Sequence, residues 1–153
     1  MKKTLILGLG NPILCDDSVG IHVAQELQKS LNRPDVTVEE TTLAGLNLLD
    51  FLVGYDKAIL IDAIQTAGGK PGEIYRFSSE EILKPTHTAT NPHDVSFADA
   101  LELGRRLNMP LPQEVIVFAI EAKEVYTFCE ECTPEVADAI PRCMDLILQE
   151  LDS

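Results

Sequence analysis

The sequence predicts an α/β protein, a three-layer α/β/α sandwich around a mostly parallel, twisted sheet of about five strands. Three observations predict it. Unbroken aliphatic runs at residues 5–7, 58–61 and 115–120 have the form of strands buried on both faces, and such strands belong to parallel sheets whose connections cover both sides. Between these runs the apolar period lengthens to that of helices. Hydrophobic residues make up 45% of the chain and aromatics only 5%, so the core is built from Leu, Ile, Val and Ala, as α/β packing requires.

The elements follow in order. The first strand ends in Gly8-Leu9-Gly10, a tight turn, after which Val19, Val23, Ala24, Leu27 and Leu31 share one face of a helix. Asp16 and Asp17 stand at its entrance. Residues 32–35 form a turn and 36–41 alternate like a half-covered strand. Residues 43–45 lead into a short helix whose stripe is Leu46, Leu49 and Leu52 or Val53, ending at Gly54. The second buried strand, 58–63, contains Asp62 near its end. A loop at 67–72 precedes residues 73–77, whose clean alternation marks a less buried, antiparallel strand. Residues 78–85 hold a short helical turn, and 86–94 read as a polar loop with His87 and His93. Phe97, Ala98, Leu101, Gly104 and Leu107 define the next helix, broken at 108–112 before the last buried strand, which is followed by Glu121. Thr133 and Pro134 open the final helix as N-cap and first helical residue. Its apolar face is Val136, Ile140, Cys143, Met144, Ile147, Leu148 and Leu151. Pro141 removes a hydrogen bond and clashes one turn back, which predicts a kink or a restart.

With 153 residues and no internal repeat, residues 1–153 are expected to form one domain with one sizeable core. Asp and Glu outnumber Lys and Arg by 25 to 12, a net charge of −13, so a phosphate backbone is repelled and nucleic acid is excluded as a partner. The apolar run before Gly8 is too short for a signal-peptide core or a membrane span, which leads to the expectation of a cytoplasmic protein. In that reducing compartment Cys15, Cys129, Cys132 and Cys143 are expected to be thiols. Cys129-Glu130-Glu131-Cys132 has the spacing of half a zinc site or a redox pair. No second pair exists and the glutamates raise a neighbouring thiol's pKa, so a structural or incidental role is favoured.

The loop after the first strand invites a dinucleotide reading, which its residues oppose. The third glycine of that fingerprint is replaced by Ile13, Pro12 removes a backbone donor, and Asp16 and Asp17 put negative charge where a phosphate would sit. The helix dipole that attracts phosphate favours those carboxylates instead, so the loop reads as a cation site. Either acid alone is also suited to be a helix N-cap. An Asp closing an aliphatic run, as Asp62 does, is costly if dry and unpaired. Carboxyl ends of parallel strands share one edge, so Asp62 and the 8–17 loop are expected to converge there, unless Asp62 only caps the following turn. With His87 or His93 added, two carboxylates and an imidazole suit nickel, zinc, manganese or iron and do not suit copper(I). Spacing does not select among them.

Taken together and in this order, Gly8-Leu9-Gly10-Asn11 with Asp16-Asp17-Ser18-Val19-Gly20, the strand ending in Asp62, and Asn91-Pro92-His93-Asp94 resemble the nickel-iron hydrogenase maturation endopeptidase family, over nearly the whole chain. The resemblance implies a sheet sandwiched by helices and a hydrolase of aspartic or metal-dependent type. The implied partner is the hydrogenase large-subunit precursor, cut at its C-terminal extension once nickel is inserted. The implied cofactor is nickel supplied by that precursor and recognised through Asp17, Asp62 and His93. Relatives often have Glu where this chain has Asp17, and the Cys129/Cys132 pair lies outside the family pattern. No His-Glu-x-x-His helix, no Gly-x-Ser-x-Gly elbow and no evident Cys-His pair is present, so a self-contained protease is not assembled from these residues. Nickel arriving with the substrate makes one unnecessary, because the ion polarises a carbonyl or lowers the pKa of a bound water, with Asp16 a candidate general base. The alternatives are a nickel-binding chaperone that cuts nothing and a Rossmann-like nucleotide-dependent enzyme.

Overall fold

In the computed structural model, which describes residues 2–42, 48–78, 92–129 and 131–152 without the side chains of 92–98, the three aliphatic runs are the three central strands of one five-stranded sheet. These are β1 (Thr4–Leu9), β3 (Lys57–Ile64) and β5 (Glu114–Glu121). β2 (Val36–Thr41) and β4 (Ile74–Ser78) are the edges, in the order β2-β1-β3-β5-β4. The first four of these are mutually parallel and β4 runs antiparallel to β5, as its alternating sequence predicts.

Each central strand is buried on both faces because helices cover both. Ile6, Ile59, Ile61, Ile116 and Phe118 point to one side, where α1 (Val19–Ser30) contributes Val19, Val23 and Leu27 and α4 (Pro134–Leu151) contributes Val136, Ala139, Cys143 and Ile147. Leu5, Leu7, Ala58, Leu60, Val115 and Val117 point to the other, against Leu49 and Leu52 of α2 (Leu49–Leu52) and Ala100 and Leu101 of α3 (Pro92–Arg106). The result is the three-layer sandwich. Each large aliphatic in these two cores contributes roughly 1.5–3 kcal/mol over leaving it exposed, which fixes strand register because a one-residue slip would invert every face.

Several elements differ from expectation. Of the predicted second helix only Leu49–Leu52 is described, and residues 43–47 lie outside the described set. His87 and the turn predicted at 78–85 also lie outside it, apart from Ser78, the last residue of β4. The polar loop predicted to run to residue 94 ends earlier, because α3 begins at Pro92, where a fixed φ and a missing N–H suit the first helical position. His93 is therefore a helical residue. The predicted interruption at Pro141 does not occur as a restart: α4 runs from Pro134 to Leu151. Pro141 and Ala137, whose carbonyl loses its partner, are both exposed, so water satisfies that carbonyl while the opposite face stays packed. No helix among the described residues is long and apolar enough to cross a membrane.

Candidate functional site

The carboxyl ends of β1, β3 and β5 share one edge, with Gly8 paired to Ile61, Asp62 to Ala119 and Ile64 to Glu121. Helix α1 seats its first turn directly on this edge because residue 20 is glycine: a Cβ there would collide with the carbonyl oxygens of Leu9 and Ile61. Residues 10–18 are consequently folded down onto the strand ends. Gly10 has φ of +144° and a Cβ on it would meet the Asp17 carbonyl, so the loop closes on itself only with glycine at that position. A single 3-10 turn, Asp16–Ser18, precedes α1 and packs against β3.

The two adjacent acids of this turn have different environments. Asp17 is half-buried, and its Oδ2 accepts the N–H of Asn11 at 3.1 Å. Asn11 in turn accepts the N–H of Ile13 through its side-chain oxygen at 3.1 Å, so the loop is tied internally around Asp17. Asp16 is fully buried. Its Oδ2 accepts the N–H groups of Lys123 and Glu124, both at 2.8 Å, and its Oδ1 accepts the N–H of Thr133 at 2.7 Å. The Thr133 hydroxyl lies 3.0 Å and 2.9 Å from the two oxygens. Neither acid caps α1: its N-cap position is Ser18, whose hydroxyl donates to the Cys15 carbonyl at 2.6 Å. A fully buried carboxyl already receiving three N–H groups and a hydroxyl is occupied in holding the turn, an arrangement that differs from the open general base expected of Asp16.

Asp62 is only 2% exposed, and its Oδ1 accepts the N–H of Ala63 at 2.8 Å. Strand alternation puts it on the face of Ala58 and Leu60, the face that α3 covers. Helix α3 delivers its C-terminal end to the start of β5, where Met109 N–H bonds Gly104 and Gly54 N–H bonds Pro110. The helix spans 15 residues and includes His93 in its first turn. Of the three predicted residues, Asp17 and Asp62 belong to the carboxyl end of the sheet, and the side chain of His93 is outside the described set. Among the described residues no group of three Asp, Glu, His or Cys side chains is arranged to hold a metal ion.

A fourth acid at this edge, Glu121, is buried and engaged. It accepts the Thr66 N–H at 2.9 Å, the Thr66 hydroxyl at 2.6 Å and the Tyr75 hydroxyl at 3.0 Å, which fastens the loop after β3 to β4. The Tyr75 phenol is pushed up to about 12, by desolvation first and by the adjacent Glu121 and Glu73 carboxyl groups.

The cysteines correct the expectation of four thiols. Cys15 and Cys129 form a disulfide across 114 residues, and Cys132 and Cys143 are free. The pairing is not between the two members of the Cys-x-x-Cys motif because residues 13–16 run beside residues 124–129. Leu14 and Phe128 form an antiparallel bridge, Cys15 N–H bonds Thr127 and Asp16 N–H bonds Glu124. The Cys132 thiol is raised by burial, partly offset by its contact with the Ser18 hydroxyl, and raised further by Asp16. Sequence reasoning missed this second tier altogether. Thr133 was legible as the start of a helix, but its hydroxyl serves Asp16 and makes no cap.

A family model described as hydrogenase maturation protease matches residues 21–150. The chain is 30% identical over 100 residues to the hydrogenase 2 maturation protease of Escherichia coli K12, a stretch that covers 65% of this chain and 61% of that relative. Its fold is similar to that of the hydrogenase maturating endopeptidase HybD of E. coli, with a TM-score of 0.83 at 24% identity over 98% of this chain and 92% of that one. It is also similar to the [NiFe] hydrogenase maturation protease HybD of Thermococcus kodakarensis, with a TM-score of 0.75 at 28% identity over 96% and 97%.

Proposed function

The chain belongs to the hydrogenase maturation protease family, and on that premise we propose that it is a nickel-dependent endopeptidase that removes the C-terminal extension of a nickel-iron hydrogenase large-subunit precursor. The observation that carries this reading is Asp17. It is the half-buried acid of a loop folded onto the strand ends, its fully buried neighbour Asp16 fixes the turn from the other side, and one of its oxygens is bonded only through Asn11.

In this reading the nickel is part of the substrate. It arrives bound to the precursor, and Asp17, Asp62 and His93 complete its surroundings. Two carboxylates and an imidazole are donors that a borderline divalent ion accepts. Held there, the ion supplies a Lewis acid beside the scissile peptide. The chain's own work is positional: Asn11 orients Asp17, the strand end presents Asp62, and the glycines at 10 and 20 let the loop and the first turn of α1 pack onto the strand ends. Asp16 acts through the turn as a positioning residue. Cytoplasmic action belongs to the same proposal.

The test is cleavage of purified precursor by Asp17→Asn, Asp62→Asn and His93→Ala variants, each checked for native circular dichroism. The reading expects each folded variant to lose cleavage by at least about a hundredfold, the scale of losing a group that orients or polarises at the reacting centre. Undiminished cleavage by any folded variant removes that residue from the site, and undiminished cleavage by all three removes the proposal.

A further inference from the structure

Beside the candidate site, the ribbon of residues 13–15 and 126–129 exposes large apolar side chains that the fold does not use. Tyr126 is 84% exposed, Phe128 74% and Ile13 57%. They sit on a rigid support. The ribbon is joined by the Leu14–Phe128 bridge, by the bonds from Cys15 N–H to Thr127 and from Cys129 N–H to Ile13, and by the Cys15–Cys129 disulfide. Asp16 holds the base of the same segment through the Lys123 and Glu124 N–H groups. Ile13 is in the loop that carries Asp17, four residues ahead of it, so the apolar surface is continuous with the candidate site.

We propose that this ribbon is the docking surface for the protein substrate, and that it grips a polypeptide segment combining apolar side chains with Lys or Arg. This rests on the proteolytic reading above. Two aromatics and an isoleucine presented on a cross-linked ribbon lose little freedom on binding, the condition under which exposed apolar groups yield affinity. The neighbouring charge selects the partner. The Glu124 carboxyl accepts the Tyr126 N–H at 2.9 Å, Asp17 and Glu131 flank the two segments in sequence, the nearby cation Lys123 is paired with Glu135 at 3.1 Å, and the whole chain carries a net charge of −13. An acidic surround repels anionic lipid and nucleic acid and attracts a basic polypeptide. A second copy of this chain, equally acidic, is repelled too.

The experiment compares wild type with Tyr126→Ser, Phe128→Ser and Leu107→Ser. Leu107 is the control: it is 64% exposed but follows α3 at the opposite, amino end of the sheet. Binding of purified nickel-loaded precursor is measured by interferometry, cleavage is followed separately at varied precursor concentration, and self-association is measured by sedimentation. The expected result is a rise in Kd and KM of about tenfold or more for each ribbon variant, with kcat and melting temperature unchanged and Leu107→Ser like wild type. Unchanged Kd in both ribbon variants overturns the proposal, as does an equal loss in Leu107→Ser. So does a wild-type dimer that the ribbon substitutions dissociate without weakening precursor binding. If wild type binds precursor through the ribbon but cuts nothing, the docking surface stands and the proteolytic reading fails. If wild type cuts and the ribbon variants match it, the reverse holds.

Discussion

Replacing Asp16 separates a positioning role from a chemical one. In Asp16→Ala the N–H groups of Lys123, Glu124 and Thr133 and the Thr133 hydroxyl lose their common acceptor. A donor left unsatisfied costs about 1–3 kcal/mol, the upper figure applying where water is excluded. The carboxyl they share is fully buried, so each N–H costs at least the low figure, a minimum of about 3 kcal/mol for the three N–H groups together. Against a total of about 5–15 kcal/mol for a typical domain, that is a large fraction. Asp16→Asn keeps one acceptor oxygen and turns an NH2 toward donors, so roughly half the bonds survive and the loss is about 2 kcal/mol. Urea unfolding followed by circular dichroism measures both losses, and single-turnover cleavage of precursor by the folded fraction measures the chemistry. The positioning role predicts that stability falls first and that cleavage falls with order in the turn. An Asp16→Asn variant as stable as wild type but inactive would refute it and return Asp16 to the reaction.

Further outcomes follow from other contacts. Glu150 is held below the usual carboxyl range first by its bond from Arg76, against some desolvation, and by Lys57, which donates to the Glu150 carbonyl at 2.8 Å and lies 3.5 Å from Oε2. A depressed pKa means this stabilisation is complete above the unfolded value of about 4.3 and is lost as pH falls through the folded one. The urea midpoint of Glu150→Gln should therefore lie below wild type at pH 7 and converge with it at acid pH; a constant gap would contradict this. Cys143 is pushed up to about 12 by burial and Cys132 is also raised by burial, so iodoacetamide at neutral pH should label neither in the native protein. Under denaturing conditions it should label the two free thiols, and all four cysteines only after reduction; intact mass distinguishes these states. Cys129→Ser removes a cross-link between residues 114 apart, and should lower unfolding free energy by about 2–4 kcal/mol; an unchanged urea midpoint would exclude the bond as a stabiliser.

The sheet was legible because burial on both faces leaves a plain signature. Residues 58–61 and 115–120 contain no polar interruption, and no other structure in a chain of this size hides such short runs so completely. The alternation of β4 was legible for the opposite reason, an edge strand being only partly buried: Ile74 and Phe77 pack against the two cores while Arg76 stays exposed. Asp62 stood out as an acid in an aliphatic run. Asp16 and Asp17 could not be told apart from their order, because what distinguishes them is contact with Lys123, Glu124 and Thr133, more than a hundred residues away. The same distance hid the Cys15–Cys129 bond: local spacing suggested Cys129 with Cys132, and only the pairing of residues 13–16 with 124–129 brings the true partner close. Pro141 does not restart the helix because it is on the solvent side of a helix held by Val136, Ala139, Cys143 and Ile147.

The most direct measurement is a time course of precursor processing, read by mass spectrometry, with the same large-subunit precursor prepared nickel-loaded and nickel-free. If the acids of the carboxyl edge work by engaging an ion the substrate brings, only the loaded precursor loses its C-terminal extension. Equal processing of both preparations would contradict that account.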